Sequence, residues 1–318
     1  GLVTIQPLIE RLQGFKMPAA AITDVSNLFG LIKFYSSAIK SGIKPICGCD
    51  VPVVNDEGVH TQLVLLVKNQ TGYLNLTNII SDLYTEAESH GDPLLKIGKL
   101  VGRTEGLIAL SGAQKSDIGS ALINNENGLA KSLLQTWQQL FPESFYLELQ
   151  RVGKVDEENY IEAAVNLAIA AQCPVVASND VRFLDQEDFD AHEVRVCINE
   201  RRSLDDSRRS HNYTDQQYLK GSEEMDALFV DIPEAIANVH QIVKRCNLGL
   251  ELGTPHLPNY PVPEGVALED YLCKLSEEGL QKRLKQLFDD EAQSKSVSEP
   301  YYSRLKIELD IINQMGFP

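Results

Sequence analysis

Six short runs in the first part of the chain, "PAAAIT", "IKPICGCDVPVV", "QLVLLVKN", "GLIALSG", "SFYLELQ" and "CPVVASND", are almost uninterrupted in apolar residues. A strand covered on both faces has no polar side to show, so such runs read as buried strands. Between them lie amphipathic segments, "TIQPLIERLQGF", "NLFGLIKFYSSAIKSG", "NNENGLAKSLLQTWQQLF" and "EENYIEAAVNLAIAAQ". In the last, Ile161, Ala164, Val165, Leu167 and Ala168 form one stripe at helical spacing, and Pro174 introduces the next strand. The alternation predicts an α/β fold with a mainly parallel sheet.

A chain of 318 residues allows one large α/β barrel or two ordinary domains. From about Ser203 the pattern turns to helix and loop, and "GTPHLPNYPVPEG" follows at residues 253–265. Pro255, Pro258, Pro261 and Pro263 cannot all sit in regular structure, so a boundary falls there. Beyond it, "LEDYLCKLSEEGLQKRLKQLF" and "YYSRLKIELDIINQMGF" read as amphipathic helices joined by a charged, flexible "DDEAQSKSVSEP". Two helices make a poor core, as if a larger second domain were cut short.

The apolar runs finish in polar residues: Asp24, Asp50, Asn69, Ser111, Glu148 to Gln150, and Asn179 to Asp180. In parallel α/β folds ligands bind beyond that edge, and in a closed barrel these carboxylates converge on one mouth. Plainer roles compete: Asp24 capping a helix that begins near Asn27, and Asp180 closing a turn.

A net charge of −16 makes the average surface repel phosphate, which counts against a DNA-gripping surface. The basic cluster "NERRSLDDSRRSHNYT", with Arg201, Arg202, Arg208 and Arg209, is blunted by its own acids and reads as a solvated loop. The six cysteines, Cys47, Cys49, Cys173, Cys197, Cys246 and Cys273, are expected to be reduced, and Cys47-x-Cys49 lacks the second pair of a zinc knuckle. No apolar run reaches the ~20 residues that span a bilayer and no signal peptide is legible, so a cytoplasmic protein without membrane contact is expected.

No G-x-x-x-x-G-K-[ST] loop, G-x-S-x-G elbow or H-E-x-x-H pair occurs. The carboxylate mouth remains, and a metal-dependent phosphoesterase there needs several His, Asp and Glu donors. His60, His90, His211, His240 and His256 fall in expected loops or helices away from strand ends. His192, in "FDAHEV", follows a strand end but reads as a hydrogen-bonded helix residue.

The runs "AITDVSNLFGLIKFY", "SGIKPICGCDVPV", "NQTGYLNLTNIIS", "EGLIALSG", "FYLELQRVG", "PVVASNDVRFLDQEDFDAHEVRVCI" and "IELDIINQMGFP" carry, in one order, a resemblance to the N-terminal part of bacterial DNA polymerase III α subunits, the C-family replicative polymerases. The resemblance implies a polymerase-and-histidinol-phosphatase (PHP) domain over residues 1–255, a distorted TIM-like (β/α)7 barrel whose first strand, with an H-x-H motif, would precede Gly1. It implies a connector at 256–264 and the first helices of a truncated palm domain at 265–318.

Intact PHP sites of that family hold metals at the barrel mouth, and the motifs carry over one at a time. Thr23-Asp24-Val25 stands where T-D-H is usual, and Asp50 in "GCD" where a glutamate ligand is expected. Val152 replaces a histidine, and Asn179-Asp180-Val181-Arg182 replaces N-D-x-H. Valine has no lone pair, and a guanidinium supplies no acceptor. The expectation is a vestigial phosphoesterase centre, Asp24, Val25, Asp50, Val152, Asp180 and Arg182, with no tightly bound metal and with Arg182 reaching Asp24, Asp50 or Asp180. A weak site on Asp24, Asp50 and Asp180, helped by Glu148 and retaining phosphoesterase, pyrophosphatase or 3′–5′ exonuclease activity, is the alternative. The resemblance further implies a noncatalytic platform for the proofreading exonuclease (ε) subunit and other holoenzyme subunits. DNA, dNTPs and the Mg2+ of the palm would belong to regions beyond Pro318.

Overall fold

Helix α1 (Ile5–Gly14) leads into β1 (Ala19–Val25), α2 (Leu31–Lys40), β2 (Lys44–Val54) and β3 (His60–Val67). Next come α3 (Gln70–Thr85), β4 (Leu95–Lys96), β5 (Leu107–Leu110), α4 (Asp117–Ile123), α5 (Asn127–Leu140) and β6 (Phe145–Gln150). The chain continues through α6 (Glu157–Ala171), β7 (Val175–Ser178), α7 (Phe189–Glu200), α8 (Ser222–Leu228) and α9 (Pro233–Arg245) to α10 (Leu268–Leu287) and α11 (Glu291–Gln314). This computed structural model describes all residues except 55–57, 86–93, 210, 256–257, 289–290 and 318, and the side chains of 291–296. His90 and His256 therefore lie outside the described residues.

The chain forms two compact units, Gly1–Leu250 and Glu251–Pro318. In the first, the seven strands make a mixed, curled sheet in the order β1-β2-β3-β5-β6-β7, with β4 added to β2, a distorted and open barrel of the α/β class. β1 and β7 end the row and do not pair among the described residues. Pairing is parallel except around β3, which runs antiparallel to both β2 and β5. The short connection from Val54 to His60 explains this: it suffices for an antiparallel return, whereas a parallel one needs a crossover of about a dozen residues or more.

Strand burial on both faces follows from two core clusters. Leu107 and Ala109 of β5 face one, with Leu76, Ile79, Trp137 and Tyr160 of the helices, while Ile108 and Leu110 face the other. The second cluster is closed by Ile242 of α9 and by Cys246 just beyond it. Helix α9 is tied in place by Asn238, whose Nδ2 donates to the Val175 carbonyl at 2.8 Å, and by Lys44, whose Nζ donates to the Val243 carbonyl at 2.6 Å. A lysine on the last carbonyls of a helix also offsets the negative end of its dipole. The described cysteines are free thiols.

In the second unit α10 and α11 pack on each other around Leu284 and Leu309. The flexible linker expected before "YYSRLK" is a correction: from Glu291 onward those residues are helical, and Pro300 stands inside α11. Glu, Ala, Gln and Lys favour helix as readily as solvent, which is why charge alone misread the segment.

Candidate functional site

All strands but β3 run in one direction, so their C-terminal ends share one rim. Asp24 and Val25 close β1, Glu148 lies in β6, and Asp180 follows β7 by two residues. Asp50 lies within β2 rather than at its end, opposite Val25 in register. Asn69 is the clear misplacement among the expected strand-end residues. It follows the antiparallel β3 and so lies at the opposite rim, where its Oδ1 accepts the Gly72 N–H at 3.0 Å at the start of α3. The reversed β3 instead brings its beginning to this rim, and Gln62 Nε2 donates to Asp50 Oδ2.

Asp180 is the hub. Arg182 Nη2 lies 2.5 Å from its Oδ1, while Lys154 Nζ at 3.5 Å and Lys115 Nζ at 3.9 Å face its Oδ2. Gln217 Nε2 donates to the same Oδ2 at 2.8 Å. Burial pushes the Asp180 carboxyl up, but Arg182, Lys115 and Lys154 together outweigh it, and the net effect holds it below the usual aspartate range. The Arg182 guanidinium also stacks over the Tyr213 ring, 5.7 Å from its centroid. Of the three carboxylates sequence reasoning offered to Arg182, its salt bridge is with Asp180.

Asp50 and Glu148 are the buried acids behind this pair. Burial pushes Asp50 up to about 6 against the pull of its Gln62 bond, and Glu148 and Asp180 add to the rise while Arg182 opposes it. Its Oδ1 is buried with no hydrogen-bond partner among the described residues. Burial raises Glu148 as well, although its carboxylate accepts the Gly112 N–H at 3.0 Å, the Ser178 hydroxyl, and Gln150 Nε2 at 3.3 Å. Asp24, by contrast, is exposed, and its carboxylate faces the Gly30 turn. It does not stand at the N-cap of α2, a place taken by Gly30.

Val25 is half exposed on the rim, and Val152 is fully buried. The Val152 N–H donates to Glu157 Oε1 at 2.8 Å, and its carbonyl accepts the Thr214 hydroxyl. A metal cluster needs lone-pair donors converging on one point. Among the described residues no group of three His, Cys, Asp or Glu side chains converges that way. The acceptors of Asp180 are taken by a guanidinium, an amide and ammonium groups, which repel a cation. The metals that the PHP resemblance implies do not fit this set.

The histidines stand apart. His60 opens β3, a correction to its expected place in a loop or helix, and is exposed; His211 and His240 are exposed too. His192 lies buried in α7, its ring 4.6 Å edge-on from Tyr213 and 5.5 Å from Phe183. Its Nδ1 has no hydrogen-bond partner among the described residues and lies 4.0 Å from Glu193 Oε1, and the two rings pack against it. In the basic cluster, Arg202 and Arg208 bind Asp206, and Arg209 binds Glu193.

Three residues of the hub went unread in the sequence. Lys115 and Lys154 each follow a strand end by a few residues, after "LIALSGAQ" and "LELQRVG", but a search for metal donors passes over cations. Gln217 belongs to a segment with no periodicity. That segment straps the rim: the Gln217 carbonyl accepts the Arg182 N–H at 2.8 Å, and the Tyr218 carbonyl accepts Asn179 Nδ2 at 2.7 Å.

Comparison with known proteins places these features in context. Residues 1–152 match the family model described as the PHP domain. The whole chain is 47% identical over 321 residues to DNA polymerase III subunit alpha of Pseudomonas aeruginosa, covering 27% of that protein. It is 46% identical over 322 residues to the Escherichia coli K12 subunit and 45% identical over 321 residues to the Vibrio cholerae subunit, in each case along its whole length and over 28% of the relative. The chain thus spans little more than a quarter of the curated relatives it matches.

Proposed function

We propose that this chain, similar end to end to the N-terminal part of DNA polymerase III subunit alpha and bearing the PHP match over residues 1–152, is a noncatalytic platform within a bacterial replicative DNA polymerase. The observation that carries the reading is the Asp180 hub. Where the resemblance expects metal ligands, Arg182, Lys154, Lys115 and Gln217 occupy the carboxylate. In this reading residues 1–255 form the platform, 256–264 connect, and 265–318 begin the palm. The platform braces the polymerase core and docks the proofreading exonuclease subunit among the other holoenzyme subunits. Templated DNA synthesis, with its DNA, dNTPs and Mg2+, belongs to the rest of the relatives' length, and the setting is the cytoplasm.

The noncatalytic part is tested by assaying the purified chain on a phosphomonoester, on pyrophosphate and on single-stranded DNA with Mg2+, Mn2+ or Zn2+. No metal-dependent turnover is expected. Turnover that rises with metal and vanishes in Asp180→Asn would mean a working site and sink this part. Association with the purified exonuclease subunit at micromolar concentration tests the platform, and its absence counts against docking.

A further inference from the structure

The rim opposite the Asp180 hub carries a second cluster of positive charge. Lys68 directly follows β3, Arg245 ends α9, and Ser144 directly precedes β6. Ser144 Oγ accepts from both cations, from Lys68 Nζ at 3.1 Å and from Arg245 Nη2 at 2.8 Å. Arg245 also donates to the Tyr146 hydroxyl at 2.8 Å and to the Glu143 carbonyl at 2.9 Å. Every one of these acceptors is neutral, and neither cation joins an ion pair among the described residues. With 29 Lys and Arg against 45 Asp and Glu in the chain, cations left without an acid are the exception.

The shared acceptor holds the two charges within about 6 Å of each other, where they repel. Burial, and after it the Arg245 charge, push the Lys68 ammonium below the ordinary lysine range, with Cys246 and Glu105 pulling the other way. Lys44 adds a third charge: its Nζ donates to Asn247 Oδ1 at 2.9 Å, and the Asn247 N–H donates to the Lys68 carbonyl at 2.7 Å. Donors remain in excess. Lys68 and Arg245 each keep two N–H groups beyond the bonds above. Ser144, 5% exposed, lends both lone pairs to the cations, so its own hydrogen is left for a further acceptor.

We infer that this cluster is a binding site for a phosphate dianion, free or at the end of a nucleotide, held by Lys68, Arg245 and the Ser144 hydroxyl. The inference is independent of the platform reading. Charge and donor count select the ligand. A carboxylate or a backbone phosphodiester carries one negative charge and neutralises one cation, whereas a dianion neutralises both and offers oxygens to all three groups. On a chain of net charge −16 such an ion is repelled by the average surface, so a local surplus of cations sets where it binds.

The test titrates inorganic phosphate, thymidine 5′-monophosphate, acetate and single-stranded DNA without terminal phosphates into the purified chain by calorimetry. Phosphate and the monophosphate are expected to bind with a Kd of about 1 mM or tighter, weakening with salt, and acetate about tenfold or more weaker. Equal affinity for the first two means that the phosphate alone is read, and a tighter monophosphate makes a nucleotide the source. Lys68→Met keeps the stem and relieves the repulsion from Arg245, so it should fold with an unchanged circular dichroism spectrum yet lose about tenfold or more in phosphate affinity. Lys68→Arg should stay within about threefold of wild type, and Lys131→Met, on exposed α5 surface, within about twofold. Weaker phosphate binding than stated, or acetate or the DNA binding as well as phosphate, overturns the inference. Phosphate affinity lost in Lys154→Met and kept in Lys68→Met moves the anion to the Asp180 hub and overturns it too.

Discussion

Arg182 Nη2 sits 2.5 Å from Asp180 Oδ1, within a carboxylate whose other oxygen accepts Gln217 Nε2 at 2.8 Å. One acid is thereby shared by a guanidinium and an amide, with two ammonium groups close behind. A carboxylate so engaged is surrounded by positive charge that opposes a metal ion, and it organises four segments of chain: the turns after β5, β6 and β7 and the strap around Gln217.

Asp180→Asn should destabilise the fold, because Arg182, Lys154 and Lys115 then face one another without their counterion. Removing one member of a largely buried pair costs about 2–4 kcal/mol, so urea unfolding near pH 7.5 should show a loss of that size. Burial raises this carboxyl but the cations more than reverse it, so its folded pKa lies below the unfolded one. Its stabilisation is therefore whole above the ordinary aspartate value near 4 and is lost as pH falls through the lower folded value. Wild type and variant should converge in acid, and a gap that persists there would refute the ion-pair account.

Asp50→Asn is expected to act in the opposite direction. Burial lifts the Asp50 carboxyl to about 6, so between about pH 4 and 6 the folded chain binds more protons than the unfolded chain. Stability then falls as pH rises through that window. The two values differ by an amount equivalent to about 3 kcal/mol, and the neutral amide escapes that penalty. The variant should be more stable than wild type by about 1–3 kcal/mol at pH 7.5 and equal to it below about pH 4. Equal stability at both pH values would show that the carboxyl is not strained by burial.

Most of the sheet was legible because a strand buried on both faces leaves a compositional trace: each of the six apolar runs overlaps one of the strands β1, β2, β3, β5, β6 and β7. β4, two residues long, is too short to leave one. Strand direction is a weaker signal than strand existence, and Asn69 fell at the wrong rim for that reason. At the site, Asp24, Asp50, Asp180 and Arg182 stand out by residue type and position. Lys115, Lys154 and Gln217 depend on contacts that only the folded chain creates, and the irregular Gln217 strap carries no local pattern at all.

Divalent metal should leave the thermal midpoint unchanged. A site with a dissociation constant near 1 μM would, at about 1 mM Mn2+, stabilise the fold by about 4 kcal/mol. For a domain of this size that raises Tm by roughly 8–16 °C. Melting curves with Mn2+, Zn2+ or EDTA are expected to agree within about 1 °C. A rise of several degrees, abolished by Asp180→Asn, would mean that a metal displaces Arg182.

The last prediction concerns the scaffold that places the rim. At Gly72 a Cβ would lie 1.9 Å from the Gly106 carbonyl oxygen and 2.5 Å from its carbon, so the first turn of α3 touches the backbone just before β5. Gly106 itself has a φ of 76°, and its carbonyl accepts the Lys68 N–H at 2.8 Å, so it cannot withdraw without breaking that bond. Both contacts are backbone, and no flexible side chain is present to yield. Gly72→Ala gains helix propensity of about 1 kcal/mol but forces α3 away from β5, at a cost of about 3 kcal/mol or more. The net loss should appear as a lower urea midpoint. Gly279→Ala, in α10 with open space around it, should show only the helix gain. If both variants behave alike, the close approach of α3 and β5 is not what fixes Gly72.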